Sequence, residues 1–234
     1  SDPHFDPNVT TGIQAYNQGL AYIDSVIDGK MWINLSIAPA FPANYAHSRR
    51  ISCDSWADIK NSEYTLNALT NGWWLDHVYH NNDADHIVME NVTDGENRAR
   101  VTSSAISGVY FLGDDVSAGG LDDTKRRVIR NATNAGINEM ARTCGSFRPL
   151  EHGNGDRAAN AFINENDDYV YLVVYNYSDH ALAKEIPLRR LGLSEAKDYK
   201  ATELWSNDNM NFKGHINAEV PAKDVKVYRI DKLL

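Results

Sequence analysis

Cysteine is nearly absent: the 234 residues contain two, Cys53 and Cys144. Neither sits in a CxxC or a Cys/His cluster, so they form no disulfide framework and read as two free, mostly buried thiols. Positive charge is also short. Lys and Arg number 23 against 32 Asp and Glu, a net charge of -9. A surface this acidic repels phosphate backbones, which argues against a nucleic-acid partner and does not disfavour a neutral ligand such as a sugar. No apolar run approaches the roughly 18 residues of a membrane span, and no secretory signal pattern is present. A Gly-rich phosphate loop is lacking as well, since Gly119 and Gly120 are a lone pair of the kind that marks a turn. His77, His80 and His86 are not at HExxH spacing, and the acidic clusters lack the glycine and terminal Glu of an EF-hand. The expectation is therefore no metal, no cofactor and no membrane. What is present, 42% hydrophobic and 24% charged residues, is ample for one large or two small globular domains.

The chain changes character near residues 148–156. Before that point, short apolar runs alternate with helical patterns, the signature of βα units and a parallel sheet. Residues 9–28 recur at helical spacing through Ile13, Tyr16, Leu20, Ile23 and Ile27, with Gly29 as the C-cap. Residues 31–37 read as a buried parallel strand. A short strand at 50–53 follows, then a helix at 58–75, a polar turn at 81–85 and an apolar strand at 86–89. A helix at 98–106, a buried strand at 109–112 and a helix at 122–141 complete this part. Residues 153–160 have the composition of a linker or surface loop. Beyond them, alternating strands at 169–177, 199–204, 215–220 and 225–230 predict an antiparallel sandwich.

Polar and ionisable groups follow the apolar runs: Ser36, then Arg50 and Asp54, then Asp83, Asp85 and His86, then Asp114 and Asp115. In barrels of βα units the strand C-termini form the active-site face, so these carboxylates are expected to converge. Trp56, Trp73, Trp74 and Tyr79 lie among them. Aromatic rings beside carboxylates suit sugars, whose pyranose rings offer apolar C–H faces.

Residues 44–88, NYAHSRRISCDSWADIKNSEYTLNALTNGWWLDHVYHNNDADHIV, resemble the catalytic half of the α-galactosidases and α-N-acetylgalactosaminidases of glycoside hydrolase family 27 and its clan. That family carries an Arg-x-x-x-Asp motif at a strand end, which reads here Arg50-Ile-Ser-Cys-Asp54. Its next strand end carries Asn-Asp-Pro-Asp, which reads here Asn82-Asp83-Ala84-Asp85, followed by His86. The segment GVYFLGDDVS resembles the family's eighth strand, and the tail resembles its C-terminal β-domain around Asp224-Val-Lys-Val-Tyr-Arg-Ile230.

The resemblance implies an α/β part followed by an all-β part: the second half of a (β/α)8 TIM-type barrel over residues 1–147, then an antiparallel β-sandwich over 148–234. It implies a retaining glycosidase in which Asp54 is the acid/base, Arg50 and Asp85 bind sugar hydroxyls, and His86 lines the pocket. Asp83, Ser36 and Trp56 complete the expected substrate-binding set. The small Ser36 leans towards a roomy pocket of the N-acetylgalactosaminidase kind. A retaining mechanism needs a second carboxyl about 5–5.5 Å from the first. The family places that nucleophile in a Lys-x-Asp motif, and this sequence has none; Asp2 and Asp6 lack both the lysine and a preceding apolar strand. The expected partners are a terminal α-galactoside or related carbohydrate and either an upstream half-barrel or a partner chain carrying the nucleophile. Without it the polypeptide is expected not to hydrolyse glycosides.

Plainer readings stand beside these. Asp54 could be a helix N-cap, Arg50 a surface charge paired with it, and Asp83 with Asp85 a polar turn. A non-catalytic sugar-binding module or subunit, and a clan member acting on α-glucosidic links, are the alternative functions.

Overall fold

The computed structural model describes residues 6–36, 43–108, 111–115, 117, 119–120, 122–134, 136–152 and 156–232. Asp2 lies outside them, as does part of the strand expected at 109–112. Helix α1 (Gly12–Ile27) starts where Thr11 and Gln14 form a reciprocal capping box, which satisfies two otherwise orphaned amides. It ends at Asp28, left-handed at φ 50°, one residue before the expected Gly29. Strands β1 (Asn34–Leu35), β2 (Ser48–Arg50) and β3 (Asn81–Asp83) form a parallel sheet in that order. Two parallel bridges, Asn82 to Gly108 and Ile87 to Leu112, extend it. Each strand thus pairs with the next one in the chain. That is the winding of a barrel, because a doubly wound sheet reverses its order at a switch point.

Helix α2 (Ile59–Gly72) is capped by Asp58, whose carboxylate accepts the amides of Lys60 and Asn61. A 3-10 turn, Trp73–His77, follows it. Helix α3 (Asp94–Ser107) opens on a Thr93–Glu96 capping box and stops at Gly108, φ 105°. The single helix expected at 122–141 is two, α4 (Asp123–Asn134) and α5 (Ile137–Thr143). Gly136 sits between them at φ 86°, a conformation that interrupts a right-handed helix and that glycine adopts freely.

The strands expected at 31–37, 50–53 and 86–89 differ from those observed, and the second is Ser48–Arg50. The polar run 81–83 is a strand rather than a turn. Its buried polar side chains find partners on other elements: Asn82 Nδ2 donates to Ser146 Oγ at 3.1 Å and Asp83 Oδ2 accepts from Asn34 Nδ2 at 2.6 Å. Such pairing lets a strand be buried without the apolar alternation used to find it. Of the apolar run 86–89, Ile87 alone bridges to Leu112. The apolar run 31–37 suggests a buried strand, yet β1 is two residues long and Met31 and Trp32 are 65% and 50% exposed. Among the described residues β1 pairs only with β2, so it is an edge strand.

The remaining strands are antiparallel: β4 (Arg148–Pro149), β5 (Ala161–Glu165), β6 (Tyr169–Asn176), β7 (Leu182–Pro187), β8 (Asp198–Glu203), β9 (Asn209–Lys213), β10 (His215–Val220) and β11 (Asp224–Asp231). Six of them form a sheet in the order β4-β5-β6-β11-β8-β9, and β7 pairs with β10. The central strands β6 and β11 of the six-stranded sheet are buried on both faces. Leu172, Val174, Ala201 and Ile230 pack with Ile186, Ile216 and Ala218 of the two-stranded sheet. On the other face Phe162, Val173, Tyr175 and Val227 pack with Leu66, Leu69, Ala105, Ile106 and Met140 of the helices. A near-continuous apolar β6 follows from this double burial. The expected loop at 153–160 is partly core: Ala158 and Ala159 are buried, and the Ala159 amide donates to Thr70 Oγ1 of α2 at 2.9 Å.

Candidate active site

The C-terminal ends of β2 and β3 carry the chemistry. Arg50, the last residue of β2, is 12% exposed at its side chain. Its Nη1 donates to Asp54 Oδ1 at 2.8 Å and to Asp85 Oδ1 at 3.2 Å. One guanidinium nitrogen therefore brings the two carboxyl groups within two hydrogen-bond lengths of each other. Asp54 is 63% exposed at its side chain, whereas Asp85 is 6% exposed. The helix cap that Asp54 could have been is supplied by Asp58, which leaves Asp54 free to face the cleft.

Asp85 is fully engaged. Its Oδ2 accepts the Ser55 amide at 2.9 Å, and His86 Nδ1 lies 3.0 Å from its Oδ1. Burial alone would raise its pKa, but the Ser55 and His86 amides, the His86 ring and Arg50 together hold it below the ordinary carboxylate value. Asp85 is also left-handed, φ 70°, a strained conformation for a residue with a side chain. Asp83 lies behind it. Its Oδ1 accepts the Asp85 amide at 2.8 Å, and its pKa is raised, because burial outweighs the bonds from Asn34 and Asp85. The Arg50 guanidinium is raised above its usual value: burial opposes the shift, and the Asp85 and Asp54 contacts exceed it.

Arg50 and Asp54 border a cleft of about 750 Å³ lined also by Ser36, Arg49, Trp56 and Tyr64, among others. Trp56 and Tyr64 are both exposed on its wall. The sequence reading missed Tyr64, although an aromatic on the polar face of an amphipathic helix was available as a signal. Ser36, Arg50, Asp54 and Trp56 therefore share one cleft, and Arg50 links it to Asp85 and His86. Asp83 is withdrawn into the sheet.

Other expected neighbours lie elsewhere. Trp73 packs partly on the helical core, Trp74 is exposed beside α2 with Nε1 donating to the Asn71 carbonyl, and Tyr79 is buried. His80 stacks with His47 at the opposite, N-terminal end of the strands. Asp114 accepts the Met89 amide and Lys125 Nζ, and Asp115 accepts the Ser117 amide. Both serve local structure. Among the described residues no group of three or more His, Cys, Asp or Glu could hold a metal ion, and no helix is long and apolar enough to cross a membrane.

Residues 149–230 match the family described as the alpha galactosidase C-terminal beta sandwich domain. No curated protein sequence matches the chain. Among solved structures it is similar to a family 27 β-L-arabinopyranosidase from Geobacillus stearothermophilus, with a TM-score of 0.76 and 16% identity over 94% of this chain and 55% of that one. It is similar to α-galactosidase I from Mortierella vinacea, with a TM-score of 0.74 and 16% identity over 97% and 66%. It is also similar to the isomalto-dextranase of Arthrobacter globiformis T6, with a TM-score of 0.68 and 15% identity over 97% and 43%. The chain has the fold of the C-terminal portion of a glycoside hydrolase family 27-like protein, the second half of a βα barrel followed by a β-sandwich. It spans roughly half the length of these relatives.

Proposed function

We propose that the chain is the part of a retaining α-galactosidase-type glycosidase that carries the acid/base and most of the sugar-binding groups, divided at residues 147 and 148 into half-barrel and sandwich. The observation that carries this reading is Arg50 bridging a solvent-facing Asp54 and a buried Asp85 at two adjacent strand ends. In the proposed mechanism Asp54 protonates the leaving oxygen and later deprotonates the attacking water, which requires access to solvent and to a proton. Asp85, with both oxygens bonded and its pKa held low, is a weak base and a poor nucleophile. It accepts sugar hydroxyls instead, with Arg50 and His86 beside it. Trp56 and Tyr64 offer flat apolar faces to the pyranose ring, and Ser36 leaves room for a substituent.

The nucleophile then comes from elsewhere. The exposed apolar groups around β1 support an upstream half-barrel as its source: Ile13, Tyr22, Ile23 and Val26 of α1, with Met31 and Trp32. Such a surface at an open sheet edge is a contact waiting for a neighbour. On this reading the 234 residues alone do not hydrolyse glycosides.

The test is Asp54→Asn in the complete enzyme. Loss of general acid/base catalysis predicts a fall of about 10²- to 10⁴-fold in turnover of an unactivated α-galactoside. Unchanged turnover would end the assignment. The open cleft with two exposed aromatics also suits a non-catalytic sugar-binding subunit. If the complete protein binds galactose and hydrolyses no aryl α-glycoside, that second reading replaces the first.

A further inference from the structure

Arg100 is among the largest fully buried side chains of the described residues, and it sits on α3 directly beneath the Asp83–Asp85–His86 turn. Its Nη2 donates to three successive carbonyls, those of Ala84 at 2.8 Å, Asp85 at 2.9 Å and His86 at 2.9 Å. Ser104, one helical turn further on, donates to the Asp85 carbonyl at 3.3 Å. The same residue, Asp85, carries the left-handed φ of 70°. Arg100 Nε and Nη1 find no hydrogen-bond partner among the described residues. A buried guanidinium that leaves donors unmet is costly to the fold, so a purely structural role accounts poorly for its presence.

We infer that Arg100 is a positioning residue: it clamps three consecutive carbonyls to hold Asp85 in its strained turn and sets a buried positive charge behind it. The inference rests on the reading of Asp85 as a sugar-binding carboxylate. The charges around Asp85 are Arg50 and Asp54 from β2 and the loop after it, Asp83 and His86 from its own segment, and Arg100 from α3. Arg50 holds one oxygen from the cleft side, while Arg100 acts from behind through the backbone and its field. Burial pulls the Arg100 pKa down to about 10, and Asp85 and Asp83 pull the other way. Arg100 therefore stays charged throughout the range in which carboxylates titrate.

On either side of Arg100 in α3, Arg98 makes two bonds to Asp224 of β11, and Thr102 accepts the Trp205 indole N–H. The helix that holds the turn is thus anchored to the sandwich, and rigid support of this kind fixes a strained functional backbone.

The experiment compares the 234-residue chain with its Arg100→Gln and Arg100→Lys variants by NMR. It follows the titration of the Asp85 carboxyl carbon and the hydrogen exchange of amides 85–87. Arg100→Gln is expected to raise the Asp85 midpoint by about one unit and to speed exchange at these amides about tenfold or more, with the sandwich amides unchanged. Arg100→Lys keeps the charge and loses the three-way grip, so it should speed exchange while moving the midpoint little. If Arg100→Gln does not fold, the lysine variant decides alone: exchange at wild-type rates overturns the inference. An unmoved midpoint in a folded Arg100→Gln chain overturns it too. Neither measurement requires glycosidase activity. A failure here is therefore distinct from a failure of the functional reading, which Asp54→Asn tests in the complete enzyme.

Discussion

The centre of the six-stranded sheet has both faces covered within the described residues, by the helices on one side and by β7 and β10 on the other. The parallel sheet is thin beside it. Its strands are two and three residues long, β1 pairs on one side only, and large apolar side chains near that edge are exposed. The candidate catalytic groups belong to the thin sheet. The difference teaches a division of labour: the sandwich and the helices packed on it bury the large core, and the parallel strand ends, backed by α3, carry the candidate catalytic groups.

The comparison can be broken where the contrast should be greatest. Leu172→Ala, in the fully buried β6, is expected to cost about 3–4 kcal/mol by removing transfer energy and leaving a cavity, measured by denaturant unfolding of this chain. A cost below about 1 kcal/mol would mean that the sandwich is not the stable half. Arg98→Ala tests the link between the two regions. It strands the nearly buried Asp224 carboxylate and should cost about 2–3 kcal/mol, short of a fully buried pair because Arg98 is partly exposed. No loss would sever the link drawn through α3.

Acid sharpens the contrast at the site itself. Because the native Asp85 pKa is depressed, its contribution to stability is complete above the ordinary aspartate value of about 3.9 and is lost as pH falls through the lower native value. Asp85→Asn should therefore be less stable than the parent at neutral pH, with the gap narrowing below about pH 4. A gap that stays constant from pH 6 to 2 contradicts the ionised, bonded state of Asp85. The smallest effect is expected on the open edge. Val26→Ser, on the exposed side of α1, should alter the stability of this chain by no more than about 0.5 kcal/mol. In the complete protein the same change should cost clearly more, if an upstream half covers that face.

Much of this was legible in the residues because the signals were local. Thr11, Asp58 and Thr93 mark helix starts through capping chemistry that acts within three residues. The spacing of Arg50 and Asp54, and of Asp83, Asp85 and His86, marks two strand ends. The strands of the sandwich carry enough β-branched and aromatic residues to show themselves, β4, β5, β7 and β9 excepted. β9, for instance, is Asn-Met-Asn-Phe-Lys, an exposed strand with little apolar signal. Asn81–Asp83 hid as a strand because its polar side chains are bonded to distant residues, Asp83 to Asn34 49 positions away and Asn82 to Ser146 64 positions away, outside any window that periodicity inspects.

By itself the sequence determined the order of the elements, the change from βα to all-β character near residue 148 and the identity of the strand-end carboxylates, since period, capping and turn chemistry are properties of neighbouring residues. Only the tertiary structure decided which carboxylate meets solvent and which is buried. It showed that one Arg50 nitrogen joins Asp54 to Asp85 and that Arg100, fifteen residues from Asp85 in the chain, grips that turn from behind. Burial and opposed charge are set by what the rest of the chain brings near, and these two quantities make Asp54 and Asp85, chemically the same residue, different groups.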